Sequence, residues 1–157
     1  MPIFYFIIET MKIISDNKRG IHNYKVIDKY EAGISLLGWE VKSARASTVN
    51  LLNSYCFFRK GEIFLCNAQF KQYMLLKCDE TRDRKLLMHK SQIIRLQSKL
   101  HKLGRATIIP SKIYFDNRSC IKVEIALVIG LNKADKREEI KRRDNERYIK
   151  KVLKNIY

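Results

Sequence analysis

Glycine and proline are scarce in this 157-residue chain, with six and two copies. Collagen-like, linker-like and low-complexity architectures are thereby excluded. Acidic residues are also few: 16 Asp and Glu stand against 32 Lys and Arg, a formal net charge of +16. No apolar run reaches the roughly 18 to 20 residues that a bilayer-spanning helix needs. Cys56, Cys66, Cys78 and Cys120 form no C-x-x-C pair, and His22, His89 and His101 complete no zinc-finger spacing. No metal and no cofactor is expected, and the four thiols read as reduced, as in a cytoplasmic protein. Glycine-rich nucleotide loops are missing. The histidines have no Cys or carboxylate partner at a known catalytic spacing, so no catalytic residue is assigned and an enzyme is the least favoured class.

Hydrophobic residues make up 46% of the chain, enough for one folded domain. A chain near this length buries roughly 70% of its unfolded surface. The excess of positive charge repels itself in the compact state, and a polyanion relieves that cost. Each Lys or Arg placed on a phosphate releases a counterion, which drives nucleic-acid binding at low salt. Membrane binding would call for an amphipathic helix with a clear apolar face or a lipid anchor, and no lipidation motif is present. No membrane partner is assigned.

Residues 2–8 are apolar but lack a positive leader and a small-residue cleavage site, so they do not read as a signal peptide. Met11 opens a more ordinary sequence. The expected organisation is an upstream extension at 1–10, a body at 11–131 and a basic tail at 132–157.

The body reads as mainly β. Alternation over residues 23–29 predicts a strand, after which Asp28 is placed to cap a short helix ending at Gly38. Residues 39–46 alternate again, predicting a strand with Trp39, Val41 and Ser43 on one face and Lys42 on the other. Residues 54–59 and 62–69 read as a hairpin through Lys60-Gly61, with a further strand over 70–77. Residues 81–90 carry no readable pattern. Ser91 is placed to cap a helix running to Leu103 and Gly104, with Ile93, Ile94, Leu96, Leu100 and Leu103 on its apolar face. Residues 106–110, 112–115 and 119–129 complete the strands, with Val123 and Ile125 inward and Lys122 and Glu124 outward. Residues 132–157 hold ten Lys and Arg and five Asp and Glu. Their sparse apolar positions favour a tail that is mobile until it meets a partner, over a helix docked on the body. Short strands, a hairpin and a covering helix predict a small closed OB-like β-barrel with one or two covering helices and a basic, largely disordered C-terminal tail.

One segment is more particular than a barrel requires. Residues 30–45, Y-E-A-G-I-S-L-L-G-W-E-V-K-S-A-R, resemble the E-A-G-I-x-L-x-G-(T/W)-E-V-K-S-x-R signature of the small protein B (SmpB, SsrA-binding protein) family. Asn17-Lys18-Arg19 with His22 and Tyr24 is similar to the family's N-K-(R/K)-A-x-H-x-Y opening. Asn53-Ser54-Tyr55 is similar to its D-S-Y. Thr81 to Met88 is similar to T-R-x-R-K-L-L-L, and Asp135-Lys136-Arg137 with Ile140 to Asp144 is similar to D-K-R-x-x-I-K-x-R-(D/E). The resemblance runs in order from about Met11 to about Arg147, and the family's usual start also falls near Met11.

The resemblance implies a non-enzymatic role in trans-translation. The partners would be transfer-messenger RNA, whose tRNA-like domain the barrel holds, and the stalled bacterial ribosome. There the tail would meet small-subunit rRNA at the decoding centre and in the empty mRNA channel and turn helical. A monomer on the RNA is expected. Asn17, Lys18, Arg19, His22, Glu31, Lys42, Arg45, Arg82, Arg84, Lys85 and Lys122 are the candidate RNA-binding residues. Asp135, Lys136, Arg137, Ile140, Lys141, Arg142, Arg143 and Arg147 are the candidate ribosome-binding residues of the tail. Phosphate contacts position such a complex and base contacts specify it. Glu31 is open to two roles, accepting from a base amino group or pairing with an arginine. Trp39 is expected in the core, and Gly33 at a close approach or turn. Ala134 departs from the aromatic or His that the family usually carries before the tail's Asp. The competing reading is a ribosomal-protein-like OB barrel that binds rRNA.

Overall fold

The computed structural model describes residues 12–72, 77–131 and 133–156, so the 1–10 extension and Met11 lie outside the described residues. In chain order the elements are β1 (Lys12–Asp16), α1 (Lys18–Ile21), β2 (Tyr24–Ile34), α2 (Gly38–Arg45), β3 (Val49–Asn50), β4 (Tyr55–Arg59) and β5 (Glu62–Cys66). There follow β6 (Gln69–Phe70), β7 (Arg84–Leu87), α3 (Lys90–Leu103), β8 (Ala106–Phe115), β9 (Ile121–Gly130) and α4 (Lys133–Ile156).

Seven strands pair in the order β1-β8-β4-β5-β7-β2-β9, and β9 returns to β8. The strands from β8 round to β9 therefore form a ring, with β1 added on β8. The return pairing is long, from Ala106↔Ile129 to Phe115↔Ile121. Closure leaves few unpaired backbone groups at a sheet edge. Inward residues make the core: Ile63, Leu65, Leu86, Ile108, Ile113, Val123, Ile125 and Leu127, with Ile93 and Leu96 of α3 packed against them. Gly33 faces Leu87 where β2 meets β7, and a Cβ there would come within 3.2 Å of the Leu87 Cβ. A side chain at Gly33 would need Leu87 to give way by a few tenths of an ångström.

Several readings of the sequence stand. Lys60-Gly61 turns the β4–β5 hairpin with positive φ at both residues (51° and 74°), as a two-residue type I′ loop requires. The covering helix is present and ends at Gly104, whose φ is also positive. Its N-cap is His89, and Ser91 lies inside the helix. Ile94 and Leu103 are exposed, at 57% and 36%, and do not belong to the packed face. Trp39 is half-buried against the core.

Two readings exchange places. Residues 24–34 form one long strand, so no helix follows Asp28. Its carboxylate is engaged by Lys99 Nζ at 2.6 Å and Tyr30 Oη at 2.9 Å instead of capping. Residues 39–46, read as a strand, fall instead on the helix α2 (Gly38–Arg45) and its C-cap Ala46. The Glu40 carboxylate reaches back to accept the Leu37 N–H at 2.7 Å, satisfying one of the free amides at the helix start. The break expected between Pro110 and Lys112 is a register shift inside continuous β8, beside a proline that has no N–H to pair. Of the strand expected over 70–77, only Phe70 belongs to β6, which pairs with β3; residues 73–76 are not described.

The tail, expected to be largely disordered until it meets a partner, is helical here. Lys133–Ile156 form one 24-residue helix, about 36 Å long at 1.5 Å per residue. Its charges are spaced for mutual support: Arg142 bridges Glu139 and Glu146, and Arg143 meets Glu139 at 3.2 Å. On an exposed helix face each such pair is weak, and their support is collective.

The deepest feature is ionic. Glu40 and Arg84 are both fully buried and paired through Arg84 Nε and Glu40 Oε2. Arg84 also donates to the carbonyls of Ala68 (2.7 Å), Arg82 (3.1 Å) and Glu80 (2.9 Å), and its guanidinium lies 4.1 Å from the Phe70 ring centroid. The other Glu40 oxygen accepts from Arg82 Nε at 3.0 Å. Among the described residues no buried side-chain nitrogen or oxygen lacks a partner.

Removing one member of a buried pair strands the other charge. Arg84→Ala is expected to lower the unfolding free energy by about 3–5 kcal/mol in urea titrations. A loss below about 1 kcal/mol would contradict this account.

Candidate nucleic-acid interface

The candidate residues fall into groups. Glu31, Lys85 and Lys122 come together in an open cleft of about 930 Å³. Its rim adds Lys60 from the hairpin turn and His89 and Lys90 from the start of α3. These three were not singled out in the sequence, because only ring closure brings the hairpin and α3 alongside β2 and β9. Lys85 pairs with Glu62 at 2.8 Å across exposed surface. Lys122 comes from β9, opposite Gly33 on one side and Tyr114 on the other.

A second cleft, of about 590 Å³, is lined by Lys18, His22, Lys29 and Lys112 of the body and Arg143 and Arg147 of α4. Lys29 and Lys112 each approach Glu124 at 3.2 Å. Burial pushes the Glu124 carboxyl up, but hydrogen bonds from the two lysines outweigh burial and leave it below its ordinary value. Arg143 Nη1 lies 2.7 Å from His22 Nδ1 and donates to the His22 carbonyl at 3.1 Å, so α4 is tied to the body here. A third hollow holds Arg19 and Asn17 beside the exposed ring of Tyr55.

Asn17 and Arg84 are not on the surface. Asn17 is 3% exposed and its Nδ2 donates to the Pro110 carbonyl at 2.8 Å. It pins α1 to β8, and a Cβ on Gly20 would strike its amide at 2.4 Å. Arg84 is the enclosed partner of Glu40, so the expected RNA contact is replaced by a structural role. Arg82 is partly exposed but held on Glu40. Lys42 and Arg45 lie exposed on α2, away from the two larger clefts. Among the described residues Glu31 pairs with no arginine; it accepts from Tyr114 Oη. In the tail, Asp135 lies in the first turn of α4. Lys136, Arg137, Ile140, Lys141, Arg142 and Arg147 are exposed and Arg143 is half-buried.

Cys56 and Cys66 are buried, which pushes both thiols up, Cys66 to about 12. Among the described residues no cluster of three or more His, Cys, Asp or Glu is placed to hold a metal ion, and no helix is long and apolar enough to cross a membrane.

Ring and surface define a class: a small, strongly cationic, mainly β protein with lysine-rimmed clefts and a long basic C-terminal helix. Residues 14–155 match the family described as SmpB protein, and the chain belongs to that family. It is 88% identical over 147 residues to an SsrA-binding protein of Mycoplasmopsis fermentans, covering 94% of this chain and 100% of the relative. An SsrA-binding protein of Thermosipho melanesiensis is 48% identical over 92% of this chain and 99% of its own length. A solved structure described as "tmRNA-SmpB: a journey to the center of the bacterial ribosome" superposes with a TM-score of 0.64 at 37% identity, over 80% of this chain and 93% of that one.

The ion pairs of α4 generate a pH prediction. The Arg142 guanidinium beside Glu139 holds that carboxyl below its ordinary 4.5. The helical form therefore favours the carboxylate. Its stabilisation is complete above about pH 4.5 and is lost as pH falls through the lower, folded value. Far-UV circular dichroism is expected to lose helical signal over that interval, and Glu139→Gln to reduce the change. An identical acid limb in both proteins would contradict the assignment.

Proposed function

We propose that this chain is a non-enzymatic RNA-binding adaptor of trans-translation. It takes up the tRNA-like domain of transfer-messenger RNA and delivers that RNA to stalled ribosomes in the cytoplasm. The observation that carries the reading is the family match over nearly the whole chain, body and tail together.

The physical division of labour follows from the two basic parts. The closed strand ring serves as an OB-like barrel, a rigid platform on which Glu31, Lys85 and Lys122 face a folded RNA. Folded RNA is recognised by shape, phosphates and unstacked bases, and a lysine-rimmed cleft with one carboxylate offers charge together with a base-reading acceptor. The helix α4 carries Lys136, Arg137, Lys141, Arg142, Arg143 and Arg147 along about 36 Å. A slender cationic rod of that length suits a narrow groove walled by RNA, such as an mRNA channel without its message. Its contact with His22 places the tail's root beside the N-terminal motif. The ribosome supplies the chemistry; this chain supplies placement.

The test is a truncation after residue 131. Binding to transfer-messenger RNA is expected to stay within about three-fold of the full chain and to weaken steeply with salt, because phosphate contacts release counterions. Tagging on stalled ribosomes is expected to vanish. Loss of RNA binding on truncation would overturn the division of labour. Equal preference for ordinary rRNA fragments would favour a ribosomal-protein-like role.

A further inference from the structure

Glu31 and Glu124 stand directly opposite each other on β2 and β9. Like charges in that position repel. Glu124 is compensated by two ammonium groups, those of Lys29 and Lys112. Glu31 is treated differently. Among the described residues no cation lies within ion-pair distance of it, and its partner is neutral: Tyr114 Oη donates to Oε2. Tyr114 is 3% exposed, on β8 across β9, so its ring is held by packing. Burial first, and the neighbouring carboxylate second, push its phenol up, so the hydroxyl keeps its proton and remains a donor. One Glu31 oxygen is thus held from behind. The other makes no hydrogen bond within the described residues, and Glu31 lines the cleft rimmed by Lys60, Lys90 and Lys122.

A carboxylate among lysines works against phosphate binding. It becomes useful only toward a hydrogen-bond donor, and the donors that an RNA base offers beyond its phosphates include exocyclic amino groups. We propose that Tyr114 is a positioning residue that fixes Glu31, so that the free carboxylate oxygen accepts from the exocyclic amino group of a base of the bound RNA. The proposal rests on the RNA-binding reading above and adds to it a chemical selection, for amino-bearing bases over uracil.

The test uses the full chain, Tyr114→Phe, Glu31→Gln and the double variant. Fluorescence anisotropy reads binding to transfer-messenger RNA and, separately, to oligo(C) and oligo(U) of equal length. Tyr114→Phe is expected to weaken binding to transfer-messenger RNA about ten-fold, as the loss of a charge-assisted hydrogen bond does. The double variant is expected to be no weaker than Glu31→Gln alone. The dependence of affinity on salt should stay unchanged, since no phosphate contact is removed. Oligo(C) should bind the parent more tightly than oligo(U), and Tyr114→Phe should erase that preference. Additive losses, unchanged binding in Tyr114→Phe or no base preference in the parent would each overturn the proposal. So would a fall of more than about 10 °C in the thermal midpoint of Tyr114→Phe, which would mark the hydroxyl as structural. A parent that ignores transfer-messenger RNA yet prefers oligo(C) in a Tyr114-dependent way would instead sink the functional reading and leave this one standing.

Discussion

A single buried carboxylate organises this molecule. Glu40 accepts the amide of Leu37, the N-cap of α2, the guanidinium of Arg84 and that of Arg82. Through them it joins a helix to the start of β7, the strand that links β5 to β2 and so completes the ring. Burying two charges costs several kcal/mol per ion unless every remaining hydrogen-bonding group is satisfied. Arg84 meets that condition with three backbone carbonyls and the face of Phe70. The arrangement specifies one packing of α2 against the sheet, because a displaced Glu40 would strand two arginines.

Four other acids share a pattern. Asp28 is taken by Lys99, Glu62 by Lys85, Glu124 by Lys29 and Lys112, and Glu139 by Arg142 and Arg143. These pairs are mostly exposed and individually weak. Their collective effect is to use acids to order the surface while a large cationic excess remains for a polyanion. Glu31 differs from these four: it faces the 930 Å³ cleft and is held there by a neutral donor, the Tyr114 hydroxyl.

Much of this was legible along the chain. The hairpin showed itself through Lys60-Gly61, the covering helix through Ile93, Leu96 and Leu100, and the last strand through the alternation of Lys122 to Ile125. Misreadings arose where a local signal lost to a distant one. Asp28 looked like a cap, but Lys99, 71 residues later, took its carboxylate. Trp39, Val41 and Ser43 alternate like a strand, yet Glu40 is drawn inward by Arg84, 44 residues away, and the same carboxylate starts a helix. Arg82 and Arg84 read as one basic stretch with Lys85. Strand β7 turns Arg84 inward and Lys85 outward, which no run of like charges reveals.

The amino-acid sequence by itself determined the composition of the core, the sign of the surface and the family, because these depend on residue type and local order. Tertiary structure alone decided which cations remain on the surface and which serve the interior, how Glu31 is held by Tyr114, and how the tail meets the body at His22. Each of those outcomes depends on pairing across a closed ring, where residues dozens of positions apart share one face or one buried charge. Side-chain chemistry is written locally, but burial and partnership are properties of the enclosure.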